Sequence, residues 1–146
     1  FPIFEATDEA TAVTSSVEKA VLLVYDEDSL TLINQTGAVV DLSGVTFVQT
    51  KADGSTLVFE ATRWEGGSRP ITALPAGDCF QVSRNDLPAA EKPVDCDRRQ
   101  AWSRVSFPRW FWRSDDTSAT FDVKRGSAVL VTCTINMGKC GFELGS

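Results

Sequence analysis

The fold this sequence predicts is an all-β, antiparallel sandwich, and three observations carry that expectation. From Val17 onward, short β-branched and aromatic runs are separated by turn residues at a regular spacing. Asp53-Gly54 is the strongest hairpin signal, because Asp-Gly accepts the positive φ angles of a type I′ turn. The chain of 146 residues is 42% hydrophobic, enough for one continuous core near the usual size of a single domain. Turn signals so spaced favour a sandwich or barrel over a βαβ arrangement, and about seven to nine strands are expected.

The elements follow in order. Residues 1–16 contain no lysine or arginine and no sustained period, so they read as a flexible acidic leader before one domain over 17–146. Ala20 to Tyr25 is an apolar run suited to a buried strand, broken by Asp26-Glu27-Asp28. Ser29 to Asn34 alternates, with Leu30 and Leu32 on one face and Thr31 and Ile33 on the other, and Gln35-Thr36-Gly37 supplies a turn. Val39 to Leu42 and Val45 to Gln49 are the next strands, joined through Ser43-Gly44. Thr56 to Phe59 pairs back across Asp53-Gly54. Cys79 to Ser83 points Phe80 and Val82 inward and Cys79 outward, near the sheet's outer surface or edge. Between Leu87 and Trp112, Pro88, Pro93 and Pro108 interrupt any long ladder, so an extended, stapled insert is expected there. Closing strands are expected at Thr120 to Val123, Ala128 to Thr134 and Gly141 to Leu144.

Four cysteines accompany a complete absence of histidine. Their spacing lacks the paired CxxC of a zinc ribbon, so disulfides and an oxidising compartment fit better than a metal. Three pairings are open in principle. Cys133 and Cys140 flank a turn-prone segment containing Asn136 and Gly138, which suits closure of a hairpin tip and leaves Cys79 with Cys96. Closing that longer loop is worth about 3 kcal/mol in the loop-entropy account.

The segment from Ser29 to Phe47, with its Asn34-centred turn, valines and Asp41-Leu42-Ser43-Gly44, resembles the core of the bacterial lamin tail domain family. Leu74-Pro75-Ala76-Gly77 leading into Cys79 to Val82 is similar to that family's next element, and Asp115 to Val131 to its closing hairpin. The resemblance spans roughly residues 21 to 134 and implies an immunoglobulin-like β-sandwich serving as an accessory module of secreted or surface-attached proteins. The four cysteines and the insert at 87–112 depart from the family pattern. Independently of it, Asp41-Leu42-Ser43-Gly44 reads as a structural corner.

Composition excludes several activities. Without an imidazole, histidine-assisted serine or cysteine nucleophiles are ruled out. One Ser-x-x-Lys match, Ser16 to Lys19, sits at the edge of the leader without a companion motif. The acids Asp26, Glu27, Asp28, Asp115 and Asp116 fall in predicted turns, where solvated carboxylates are ordinary; a calcium site at 26–28 lacks EF-hand spacing. No catalytic residue, cofactor or metal is expected. With 14 basic and 20 acidic side chains the net charge is −6, which disfavours nucleic acid unless the positive charge is strongly segregated. No apolar run reaches the roughly 18 to 20 residues of a membrane span, and the sequence opens on Phe1, as a mature product or excised fragment would. Asn34-Gln35-Thr36 matches the N-glycosylation sequon in a predicted turn.

The stretch from Asp97 to Arg113 holds three of the four tryptophans and five arginines. These side chains dominate interface hot spots. Candidate binding residues are Arg99, Trp102, Arg104, Arg109, Trp110 and Trp112; at least one tryptophan is expected in the core, with Trp102, Arg99 and Arg104 as the exposed remainder. The function expected is a non-enzymatic extracytoplasmic interaction, adhesion or structural module of a secreted or cell-surface protein, with a protein or glycan partner. The alternatives are a carbohydrate-binding module with two exposed tryptophans, and a subunit of an extracellular assembly that self-associates through its N-terminal segment.

Overall fold

The computed structural model describes residues 20–51, 53–67, 69–88, 90–106, 110–112 and 119–144. Among these residues nine strands form two sheets packed face to face, as expected for a β-sandwich. They are β1 (Val21–Tyr25), β2 (Ser29–Asn34), β3 (Val45–Thr50), β4 (Thr56–Glu60), β5 (Cys79–Arg84), β6 (Arg99–Val105), β7 (Thr120–Arg125), β8 (Ala128–Thr134) and β9 (Lys139–Phe142). The first sheet runs β6-β5-β2-β1-β9 and the second β4-β3-β7-β8. The leader and the Ser16–Lys19 match lie outside the described residues, as do Asp115 and Asp116.

Alternation decides which side chains fill the space between the sheets. Leu23, Leu30, Leu32, Phe80 and Val82 from the first sheet meet Val45, Phe47, Phe121 and Val123 from the second. Phe47 stands at the centre, its ring 6.1 to 6.5 Å from those of Phe59, Trp64, Trp112 and Phe121. Edge-on contacts dominate, which suits the ring quadrupoles. The corner after β2 forms as its residues dictate. Asp41 accepts the Ser43 amide at 2.8 Å, Leu42 is fully buried, and Gly44 adopts φ +77°, a left-handed angle that L side chains resist. Arg125 clamps this corner by donating to the Asp41 and Ser43 carbonyls.

Four expectations need correction. The insert contains a strand, β6, which adds in parallel to β5, so the first sheet is mixed. Val39 to Leu42 contributes a single bridge, Val40 to Leu74, because the corner bends the chain out of the ladder. The last strand begins earlier, at Lys139, where it pairs with β1 from Val24 to Val21. Finally, Cys133–Cys140 closes no hairpin: it joins β8 at one sheet's edge to β9 at the other's. The short 3-10 turn Ile135–Met137 carries the chain between the sheets.

The sequon also reads differently once folded. Asn34 is fully buried, its Nδ2 donates to the carbonyls of Ala38 and Leu74, and its Oδ1 accepts from Thr36. The nitrogen that a glycan would occupy therefore holds the turn instead, and modification is blocked in the folded domain.

Tyr25 ties the two sheets through a hydrogen bond, its hydroxyl donating to the Thr134 carbonyl at 2.7 Å beside the edge-on ring of Phe121. Burial pushes its pKa up to about 12. A neutral acid raised in the folded state contributes stability in full below its unfolded pKa, near 10, and loses it as pH climbs through the folded value. Tyr25 is the chain's single tyrosine, so tyrosinate absorbance reads it alone. The native protein should titrate near 12 and the denatured chain near 10; coincident curves would contradict the burial of its hydroxyl.

Candidate functional site

The outer face of the first sheet is where the insert acts. Residues 85–88 and 90–98, between β5 and β6, cross that face and are held to it by the Cys79–Cys96 disulfide. The cysteine does point away from the main core, as its strand position predicts, yet it is fully buried. The covering loop makes a second apolar cluster from Ile33, Cys79 and Cys96, with Val24 packed against it. Polar side chains beneath the loop are satisfied by it. Gln81 donates to Thr31 Oγ1 and to the Glu91 carbonyl, and Lys92 donates to the Cys96 carbonyl.

β6 emerges from this loop with a bulge at Gln100, so Arg99 pairs with Cys79, Trp102 with Gln81 and Arg104 with Ser83. All three therefore project from the outer face. Ala101 and Val105 turn inward, and Ala101 packs so closely on Gly67 that a Cβ at position 67 would lie 2.6 Å from its own.

Trp102 is 41% exposed, whereas Trp64, Trp110 and Trp112 are 1 to 8% exposed. The Arg99 guanidinium sits 4.9 Å from its ring centroid and that of Arg104 5.5 Å, a cation-π ladder with the indole between two positive charges along the strand. Each member is fixed from below. Trp102 Nε1 donates to Ser83 Oγ at 3.0 Å, and Arg99 donates to Gln81 Oε1 and to the Ala90 carbonyl. Arg104 donates to the carbonyls of Arg84 and Leu87.

The remaining candidates separate from this group. Trp110 and Trp112 belong to the core, packed against one another and, through Trp112, against Phe47, Phe59 and Phe111. Both present little surface to a partner: the apolar area of two indoles outweighs their buried Nε1 atoms, which have no acceptor among the described residues. Arg109 lies outside the described residues. The acidic turn is structural at Asp26, whose Oδ1 accepts the amides of Asp28 and Ser29, and no group of metal-ligating side chains is present among the described residues. Sequence reasoning missed Arg63, which donates to the Arg104 carbonyl at 3.1 Å from a 3-10 turn (Ala61–Trp64) following β4. No local signal could have revealed it, since the two residues are 41 positions apart.

The chain matches no protein-family model and no curated protein sequence. What the fold and site define is a class by architecture: a β-sandwich with two disulfides and an arginine-tryptophan ladder on one outer face. Among the described residues no helix is long and apolar enough to cross a membrane.

Proposed function

We propose that this domain is a non-enzymatic extracytoplasmic interaction module of a secreted or cell-surface protein, an immunoglobulin-like sandwich of the lamin tail type. Its recognition surface is the ladder Arg99, Trp102 and Arg104. The observation that carries this reading is the exposure of Trp102 between two guanidiniums whose own hydrogen bonds hold them in place. Rigid aromatic and arginine groups make strong contacts because little side-chain freedom is lost on binding. Two disulfides fit an oxidising compartment. The carbohydrate-binding alternative with a pair of stacking tryptophans finds no support, since three indoles are in the core.

The test is direct. The labelled domain is titrated onto a printed array of neutral and acidic glycans and onto immobilised peptides of acidic, basic and aromatic composition. Trp102→Ala should lower the strongest response about tenfold or more, as expected of a hot spot, in a domain that circular dichroism shows to remain folded. An unaltered response, or no response on either surface, would overturn the proposal.

A further inference from the structure

The two open sheets end in four edge strands, and three of them are protected. β6 is capped by the 3-10 turn Ala61–Trp64 and the residues after it: Arg63 donates to the Arg104 carbonyl, and a Cβ on Gly67 would stand 2.6 Å from the Gln100 carbonyl. On the other flank β8 and β9 are bolted to one another by Cys133–Cys140; β8 is bulged between Val129 and Val131, and β9 is four residues long. Covered, bulged and short edges resist further strand pairing. β4 has none of these devices. Its residues, Thr56-Leu57-Val58-Phe59-Glu60, include no proline, glycine or lysine, and pair with β3 in unbroken register on one side and with no strand on the other among the described residues.

Pairing with β3 decides which backbone groups are left over. The Lys51 amide donates to the Ser55 carbonyl at 2.7 Å, and the same register makes Gln49 with Leu57 and Phe47 with Phe59 the hydrogen-bonded pairs. The amides and carbonyls of Thr56, Val58 and Glu60 therefore point away from β3, and all three residues are exposed. No backbone group elsewhere among the described residues bonds to them.

This edge is complementary to itself. Two copies of β4 laid antiparallel about an axis at Val58 set Val58 against Val58, Leu57 against Phe59 and Thr56 against Glu60, so the outward groups of each copy meet those of the other. No like charges face across that register. On the outer face Val58, 40% exposed, gains an apolar neighbour. Beyond the strand ends, the hairpin tip with Asp53 comes against the other copy's turn with Arg63, which lies over the Phe59 ring, so opposite charges approach at both ends. We infer that the domain pairs with a second copy of itself through β4, joining their four-stranded sheets into one continuous sheet. A single such edge per chain makes the twofold contact close on itself as a dimer. Five residues a side fall short of the roughly 800 Å² per partner of a standard interface, so the pair is weak. The outer face of the first sheet, with Trp102, takes no part in it.

Sedimentation equilibrium of the full chain over roughly 1 to 500 µM should show the average mass rising from one chain towards two. Val58→Lys and Val58→Glu each bring like charges together at the axis and should weaken dimerisation about tenfold or more, while an equimolar mixture of the two should associate to within about threefold of the wild type. Val129→Lys, at a valine 52% exposed on β8 of the same sheet, should change association by less than about twofold. Hydrogen exchange of the unaltered chain tests the contact without any substitution: the amides of Thr56, Val58 and Glu60 should slow at high concentration, and those of β8 should not. A monomer over the whole range would overturn the inference. So would association that survives both Val58 substitutions, an equal loss in Val129→Lys, a mixture that stays monomeric, or β4 amides indifferent to concentration.

Discussion

Trp64→Ala should destabilise the domain by about 3 to 5 kcal/mol, the range for deleting a large buried aromatic side chain. That is a large share of the roughly 5 to 15 kcal/mol that holds a domain folded. Trp64 is fully enclosed, arrives from the 3-10 turn after β4, stacks on Phe80 at 5.4 Å and meets Phe59 at 5.0 Å. Its Nε1 also donates to the Gln81 carbonyl at 2.8 Å, so one side chain fastens the second sheet's edge to β5 of the first. Trp64→Phe separates the two contributions: it keeps an aromatic ring and removes the hydrogen bond, leaving a buried carbonyl without its donor, and should lose about 1 to 3 kcal/mol. Chemical denaturation of the three proteins checks this. A loss below about 1 kcal/mol in the alanine variant would show that Trp64 does not join the sheets.

Replacing both Cys79 and Cys96 by alanine should lose about 3 kcal/mol, since the bridge closes a loop of sequence separation 17. The pair Cys133 and Cys140, separated by 7, should lose about 2 kcal/mol on the same account. The larger consequence of the first variant is local. Without the bridge, backbone hydrogen bonds still tie the loop's ends, Asn85 to Val105, Asp97 to Gly77 and Cys79 to Arg98, while among the described residues its middle is held only through Gln81, Arg99 and Arg104. Trypsin should then cut after Lys92 in the otherwise folded variant, and fragment masses identify the site. Resistance equal to the wild type would mean that hydrogen bonds alone hold the loop. If the loop detaches, the guanidiniums of Arg99 and Arg104 lose carbonyl partners, and the ladder should bind its ligand more weakly even in protein that remains folded.

Much of the sandwich was legible because its strands obey the period-two rule with the core on one side. Val45 to Thr50, Thr56 to Glu60 and Thr120 to Arg125 are of this kind. β2 and β5 carry burial on both faces, yet the alternation of their larger apolar residues still announced strands. β6 escaped for two physical reasons. Its inward positions are small, Ala101, Ser103 and Val105, and the bulge at Gln100 breaks alternation at the point where a reader would look for it. A parallel neighbour also needs no tight turn, so the usual hairpin punctuation is missing.

The same asymmetry governs the site. Trp102 was readable as an exposed residue because arginines flank it, and Trp110 and Trp112 were ambiguous because an aromatic-rich segment suits a surface or a core equally well. Packing against Phe47 and Phe111 resolved them inward. Arg63 was invisible, since its proximity to Arg104 is a product of tertiary folding alone.

The covalent link between β8 and β9 has a mechanical consequence. Tension applied to the chain beyond Leu144 enters β9 and passes through Cys140 directly into Cys133 of the opposite layer, bypassing the intervening 3-10 turn. Peeling β9 from β1 therefore cannot proceed alone: the load is divided between two hydrogen-bonded ladders, β9 with β1 and β8 with β7, which resist together until the sulfur bond is reduced.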